Sequence, residues 1–422
     1  MTRLLRYLIS AVFIVITGVV LLAGGFVAGR LSVSQGLVIP GLTGPTTAQT
    51  GTPVDLVQTF VPFWQAWTIV HQEYVDQPVK DVDLMQGAIR GMMAALGDTH
   101  TLYESPSESQ ISDTSLSGEL EGIGATVDPD ANGLKIVSPL PGSPAEGAGL
   151  LPDDLIIQVD SKDLAGMNYY EAIALVRGKA GSHVHLSVIR AGTDKPLEFD
   201  VVRARITIPS VESKMLAGQI AYVKINTFGQ QTAGELNAAL NTLLKQNPRG
   251  LVLDLRNDPG GYLDTAIDVA SQFLPNGAVV MREKYGDGHE EVYNAKRGGL
   301  ATEIPMVVLV NKGSASASEI VAGAIQDNQR AVIVGETSYG KGTVQQIHPL
   351  QQNAGVIRVT IARWLTPTGR SIDKVGITPN TAVDLTPEDA AAKLDPQLDK
   401  ATSLLGQPGG SLPARLQLQL AQ

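Results

Sequence analysis

Cysteine is absent from the chain, which excludes disulfides, thiolate metal sites, a thiol nucleophile and lipid attachment through sulfur, and leaves the compartment open. Basic runs are missing too. No stretch of five or more Lys or Arg occurs, and 32 basic against 42 acidic residues give a net charge of −10, so nucleic acid is not an expected partner. Histidine is scarce. None of His71, His100, His183, His185, His289 and His348 stands in a catalytic-triad spacing, and the His183/His185 pair lies on an alternating pattern that reads as a strand before it reads as a metal site.

With 43% apolar and 18% charged residues over 422 positions, the chain is long enough for two or three folded domains. Arg3 and Arg6 precede LISAVFIVITGVVLLAGGFVA, residues 8–28, which as a helix covers about 31 Å at roughly 1.5 Å per residue and so spans a bilayer. Positive charge before this run and little after it predicts a cytoplasmic N-terminus, with the rest of the chain extracytoplasmic at the cell membrane. The rival is a cleaved secretory signal, whose apolar region usually covers about 7 to 15 residues, and either reading exports the chain. We assign 1–30 to an anchor or signal. No charge occurs from Leu31 to Val54, where Gly, Pro, Thr and Ser dominate, so 31–54 reads as a flexible linker.

Residues 55–112 read as a helical segment: Val82, Met85, Ala88, Ile89, Met92 and Met93 recur at three-to-four spacing, and Gly97 is the expected stop. From 113 to 204 short alternating segments and turns take over, interrupted by one helix in NYYEAIALVRG, which predicts a compact mostly-β module. Strands and helices alternate through 205–385: IAYVKINTF, GLVLDLR, PMVVLVN and AVIVGE as strands, with amphipathic helices between them. Continuous Val/Ile/Leu strands predict an α/β layer covered on both faces. GVIRVTIARWL alternates and is expected near a sheet edge. Residues 386–422 hold one short helix, DPQLDKATSLL, and a polar tail.

Three turns carry candidate chemistry. In VNKGSASASEIVAGAIQD a strand ends and a helix begins, with Ser316 three residues before Glu319. That is a capping-box pattern, and the same serine stands where helix N-terminal amides stabilise an oxyanion. The α/β-hydrolase elbow G-x-S-x-G does not match.

GETSYGKGT, from Gly335 to Thr343, resembles a P-loop until Gly342 displaces the required Ser or Thr. Lys341 is then the candidate base for Ser316. At an ordinary lysine pKa of about 10.4 it stays protonated, and burial lowers it. Gly340 and Gly342 let its backbone enter a packed site. DLRNDPGG ends a strand and turns through Gly260 and Gly261, which serves either a tight connection or amides presented to a ligand. Asp254 and Asp258 have no further ligand cluster around them to suggest a metal.

Together GAIRGMMAALGDTHTLY, EGIGA, DLRNDPGG, VNKGSASASEIVAGAIQD, GETSYGKGTVQ and TPTGRSI resemble the carboxy-terminal processing, or tail-specific, serine proteases over residues 55–400. The resemblance implies a crotonase/ClpP-like α/β protease core with an inserted PDZ domain. It makes Ser316 the nucleophile, Lys341, 25 residues on, the base, and Gln345 the residue that orients the lysine. Oxyanion donors fall on Ala317 and on Gly260 or Gly261. Gly122, Ile123, Gly124 and Ala125 match the PDZ loop that holds a terminal carboxylate beside an added strand, and Arg177 maps to a gating arginine.

No cofactor or metal is expected. Partners are peptide or protein C-termini, the membrane, and a second copy in a homodimer. Asp258 stands where asparagine is common, Tyr339 where phenylalanine is, and Asp98-Thr99 where an acidic-proline pair is. The alternatives are a non-catalytic PDZ scaffold and a P-loop NTPase.

Overall fold

A computed structural model describes residues 53–406 except Asp194, Pro387, Ala390 and Ala391. The expected anchor, nearly all of the linker and the tail beyond 406 lie outside the described residues. Among the described residues no helix is long and apolar enough to cross a membrane. The chain divides into residues 1–81 and 82–422.

In the first unit the helix Val57–Glu73 carries Phe60, Phe63 and Trp64 exposed, the rings meeting edge to face at 6.0 and 5.1 Å. His71 Nε2 meets Asp81 Oδ1 at 2.8 Å.

The second unit opens on the rest of the helix Asp81–Ala94. Its apolar stripe is covered only in part, contrary to what the periodicity predicts: Met93 is buried while Val82 and Met92 are exposed. The helical segment is also broken. A short strand, Leu102–Glu104, follows, and then the helix Pro106–Ser117, whose start is a reciprocal cap between Ser105 and Glu108. Low apolar content hid that helix, since periodicity has nothing to register in PSESQISDTSLS.

The ribbon Glu119–Gly122 paired with Ala204–Thr207 forms the neck of the mostly-β module. Within it Ala125–Asp130, Gly133–Pro139, Leu155–Val159, His183–Ile189 and Leu197–Val202 follow one another across an antiparallel sheet. Leu134, Ile136, Ile156, Val184, Leu186 and Val188 make its core. Ala125–Asp130 is an edge strand.

The α/β layer holds Val211–Leu216, Ile220–Ile225, Gly250–Asp254, Met306–Val310, Val332–Gly335 and Thr381–Ala382, in that order. The first pair is antiparallel and the rest are parallel. Gly250–Asp254 and Met306–Val310 are buried at every residue, as continuous apolar strands require when both faces are covered. Leu236 and Leu240, Ala266 and Val269, and Val321 bring three helices onto one face. The tail helix Pro396–Gly406 covers the other, packing Ala401 with Tyr222, Val252 and Leu309.

One expectation is corrected. Val356–Leu365 is not at an edge of this sheet but at the centre of a second, five-stranded antiparallel one. It pairs with Leu102–Glu104, Val279–Tyr285 and Thr343–Pro349. Alternation reports a half-buried face and says nothing about how many edges are paired.

Candidate active site

The three alternating serines have different tasks. Ser314 Oγ donates to the Leu255 carbonyl at 2.7 Å and accepts from the Asn311 amide at 3.0 Å. Ser318 Oγ donates to the Asp258 carbonyl at 3.0 Å. Both pin the turn against the 255–258 segment. Ser316, between them, has φ 55° and ψ −113°, far from the extended backbone of an ordinary N-cap. A β-carbon in the left-handed half of dihedral space is strained by about 1–3 kcal/mol, and two flanking anchors hold it there. The helix Ala317–Asp327 begins at the next residue.

Glu319, fully buried, is more than a cap. Its Oε2 accepts from the Ser316 amide at 2.8 Å and from the Lys341 amide at 2.9 Å, and its Oε1 takes the Ser338 hydroxyl and the Gly340 amide, both at 2.6 Å. The sequence signals only the three-residue spacing to Ser316; the partnership with the lysine loop is long-range and has no local sign.

Lys341 is followed by the strand Thr343–Pro349, whereas a P-loop lysine would start a helix. The Trp364 indole nitrogen donates to its carbonyl at 2.8 Å. Its two glycines are required by space: a β-carbon on Gly342 would come within 2.7 Å of the Asp373 backbone, and one on Gly340 within 2.9 Å of the Val375 and Gly376 amides. The side chain is half-buried. Burial lowers its pKa from the ordinary lysine value, the Arg358 charge lowers it further, and Glu319 and Asp98 pull it back up. No hydrogen bond joins the Lys341 ammonium to the Ser316 hydroxyl among the described residues.

Gln345 gives its amide nitrogen to Thr343 Oγ1 at 2.8 Å and Thr360 Oγ1 at 3.2 Å. With both hydrogens engaged, its oxygen is the end left for another donor. Thr360 in turn belongs to Asp98, a residue whose position sequence reasoning noted without giving it a task. Burial pushes the Asp98 carboxyl up, but bonds from Thr360, Thr101 and the His100 amide overcome this and hold it at about 2. Thr101 Oγ1 reaches it at 2.7 Å and receives the Thr360 amide at 3.0 Å.

Gly260, at φ 98°, approaches so closely that a β-carbon would fall 2.8 Å from both Ser316 Cβ and the Ala317 nitrogen. Its amide is already engaged by Asp258 Oδ1 at 2.8 Å. No backbone hydrogen bond is made by the amides of Gly261 or Ala317 among the described residues, which sets them apart from Gly260 among the three expected oxyanion donors. Asp254, considered above with Asp258, serves a different network: it binds Arg256, which clamps Asp395 and Gln397 of the tail.

In the β module, Gly122 lies against Arg177, whose Cα would stand 3.6 Å from a β-carbon there. Arg177 ends the helix Tyr169–Val176. Its Nη1 is buried with no hydrogen-bond partner among the described residues, and burial lowers its pKa. The loop 122–125 and a half-buried guanidinium with one buried, unsatisfied nitrogen therefore adjoin at one end of the edge strand. Tyr169 Oη donates to the Val127 carbonyl of that strand at 3.0 Å.

A strained serine at a strand-to-helix turn, a half-buried lysine tied to it through one carboxylate, and a separate sheet with an open edge define an α/β serine hydrolase carrying a peptide-binding module. Residues 219–383 match Peptidase family S41 and residues 135–190 a PDZ domain. The carboxy-terminal-processing protease of Bartonella bacilliformis is 39% identical over 85% of this chain and 82% of its own. The carboxy-terminal processing protease CtpA of Bacillus subtilis is 38% identical over 76% and 68%. A solved structure, a photosystem II D1 C-terminal processing protease, is 29% identical over 82% of this chain and 97% of its own, with a TM-score of 0.49. The chain belongs to the carboxy-terminal processing proteases, serine-type peptidases of family S41 that carry a PDZ domain.

Proposed function

We propose that Ser316 is the nucleophile and Lys341 the general base of this protease, with Gln345 presenting its amide oxygen to the lysine. The reading is carried by one observation: the Ser316 and Lys341 amides are held by the same oxygen of Glu319. In acylation the Ser316 hydroxyl proton passes to Nζ of neutral Lys341, the oxygen bonds to the scissile carbonyl carbon, and the amides of Ala317 and Gly261 take the resulting charge. Collapse breaks the C–N bond, with Lys341 returning the proton to the leaving amine. Water then hydrolyses the ester by the same proton route.

The substrate's terminal carboxylate binds the amides of the loop Gly122–Ala125 beside Arg177, and its last residues add to the strand Ala125–Asp130. The unsatisfied guanidinium supports this, since a buried donor without a partner is costly until an anion arrives. A cleft of 880 Å³ bordered by Pro106, Gln230, Tyr262 and Asn353 opens beside the Gly261 turn and suits an extended peptide. A silent scaffold would have no use for the strained serine.

The protease works outside the cytoplasm, tethered by residues 8–28 as a single-pass anchor; their length and the charge before them support this. It pairs with a second copy through the exposed aromatic face of Val57–Glu73, an apolar surface unusual on a monomer. Ser316→Ala and Lys341→Ala should each abolish cleavage of a peptide with a free apolar C-terminus while leaving the thermal transition in place. Near-normal turnover by either variant contradicts the assignment.

A further inference from the structure

Asp258 is fully buried, yet its Oδ2 has no hydrogen-bond partner among the described residues. Buried polar atoms are almost always satisfied, and a buried carboxylate with a bare oxygen is among the costliest arrangements in a protein. The residue is fixed on every other side. Oδ1 accepts from the Gly260 amide at 2.8 Å, and the main-chain oxygen takes the Ala315 amide and the Ser318 hydroxyl, each at 3.0 Å. These contacts bracket Ser316 in sequence, and Gly260 touches Ser316 in space. Asp258 is thus bonded to the backbone on both sides of Ser316 and to the glycine turn that meets it.

Protonation removes the cost of a bare buried charge: Oδ2 carries the hydrogen, and Oδ1 remains the carbonyl that accepts from Gly260. We propose that Asp258 is a positioning residue of the oxyanion loop that acts only as the neutral acid. By occupying the Gly260 amide it leaves those of Gly261 and Ala317 for the reacting carbonyl, and when it ionises it sets a second negative charge beside the forming oxyanion. The proposal rests on the reading of Ser316 as nucleophile.

The acidity of the group supports it. Burial lifts the Asp258 carboxyl to about 7, opposed by the Gly260 bond, then by the Ser318 hydroxyl, and last by the positive charge of Lys224 on the strand Ile220–Ile225. From the helix Ala317–Asp327 the group nearest the site is Glu319, whose two oxygens are spent on four donors of their own. Lys341 titrates with Arg358 and Asp98 beside it, the Asp98 carboxyl held at about 2 and so ionised across the range tested. The lysine must be neutral to act, so its titration makes activity rise with pH while that of Asp258 makes it fall.

The test is the pH profile of kcat/KM from pH 5 to 10 for the full chain and for Asp258→Asn, with Ser316 labelling by a fluorophosphonate followed in parallel. The parent should decline on the alkaline side. Asp258→Asn, which keeps an oxygen for Gly260 and cannot ionise, should lose the decline and exceed the parent tenfold or more at pH 9. A parent without an alkaline decline, or a variant that keeps it, overturns the proposal while labelling of Ser316 persists; absence of labelling overturns the nucleophile assignment as well. A readout on the parent alone removes dependence on the variant's folding. A peptide aldehyde, which forms an oxyanion on Ser316, should bind progressively more weakly above pH 7, and pH-independent aldehyde affinity counts against the proposal.

Discussion

The backbone amides of Ser316 and Lys341, 25 residues apart in sequence, share a single acceptor: Oε2 of Glu319, at 2.8 and 2.9 Å. A carboxylate can do this because both of its oxygens only accept. The distance between the serine and lysine loops is thereby set by one side chain, which touches neither reacting atom.

Glu319→Gln replaces one of those oxygens with a donor. Whichever way the amide turns, two of the four amide and hydroxyl donors lose their acceptor in a buried site. Stability should fall by about 1–3 kcal/mol. Because small displacements of reacting groups cost about 100-fold, kcat should drop by that order with KM little changed. Peptide kinetics and thermal unfolding of the same preparation check both, and a variant with parental kcat would show that the shared acceptor is incidental.

The lysine's surroundings predict opposite displacements of the pH profile. A base that must be neutral gives a limb ascending through its own pKa. Arg358 depresses that pKa and Asp98 raises it. Arg358→Gln should therefore move the ascending limb to higher pH, and Asp98→Asn should move it to lower pH. Asp98→Asn should also lower kcat, since Thr360 and Gln345 lose the anchor that orients them. Equal displacement in both variants would indicate a general structural disturbance.

Asp258 makes a separate claim on stability. Its folded pKa, about 7, stands above the ordinary 3.8, so the folded state holds the proton more tightly than the unfolded chain. The resulting penalty is absent at pH 3, grows between the two values and is complete above the folded one. Asp258→Asn escapes it. The variant should be more stable than the parent at pH 8 by about 2–4 kcal/mol, with the gap closing toward pH 4. Denaturant unfolding at the two pH values measures this directly, and a pH-independent difference would exclude a titrating Asp258.

Arg177 predicts how tails are recognised. Arg177→Ala should weaken binding of a peptide with a free C-terminal carboxylate by about 10–100-fold, the range of one charge-assisted bond. The same peptide amidated should bind the parent and the variant alike. Tyr169→Phe frees the Val127 carbonyl for an incoming strand and should tighten binding modestly. Calorimetry with catalytically silent Ser316→Ala protein avoids interference from cleavage.

The parts of this molecule that are local in sequence were legible, and the parts made by distant pairings were not. Ser316 and Lys341 stand in short turns whose glycines and small residues announce a crowded backbone, and the buried parallel strands announce themselves by composition. Glu319 was legible only as a cap, because its bonds to Ser338, Gly340 and Lys341 cross about twenty residues of intervening strand and loop. The second sheet was invisible for the same reason: Tyr103 lies opposite Ile357, and no periodicity records a partner that far away. Asp258 could be noted as an exchanged residue, but its bare oxygen is a property of packing.

The central claim is that Lys341, unprotonated, takes the proton of Ser316. It is tested most directly by the rate at which a fluorophosphonate modifies Ser316, followed by mass spectrometry across pH in the parent and in Lys341→Met. We predict a parental rate whose acid limb climbs with pH as the lysine deprotonates, and at least a 1,000-fold loss in the variant, the upper part of the roughly 10²–10⁴ that a positioned base supplies. Modification of Lys341→Met at close to the parental rate, or a label found on a residue other than Ser316, would contradict it.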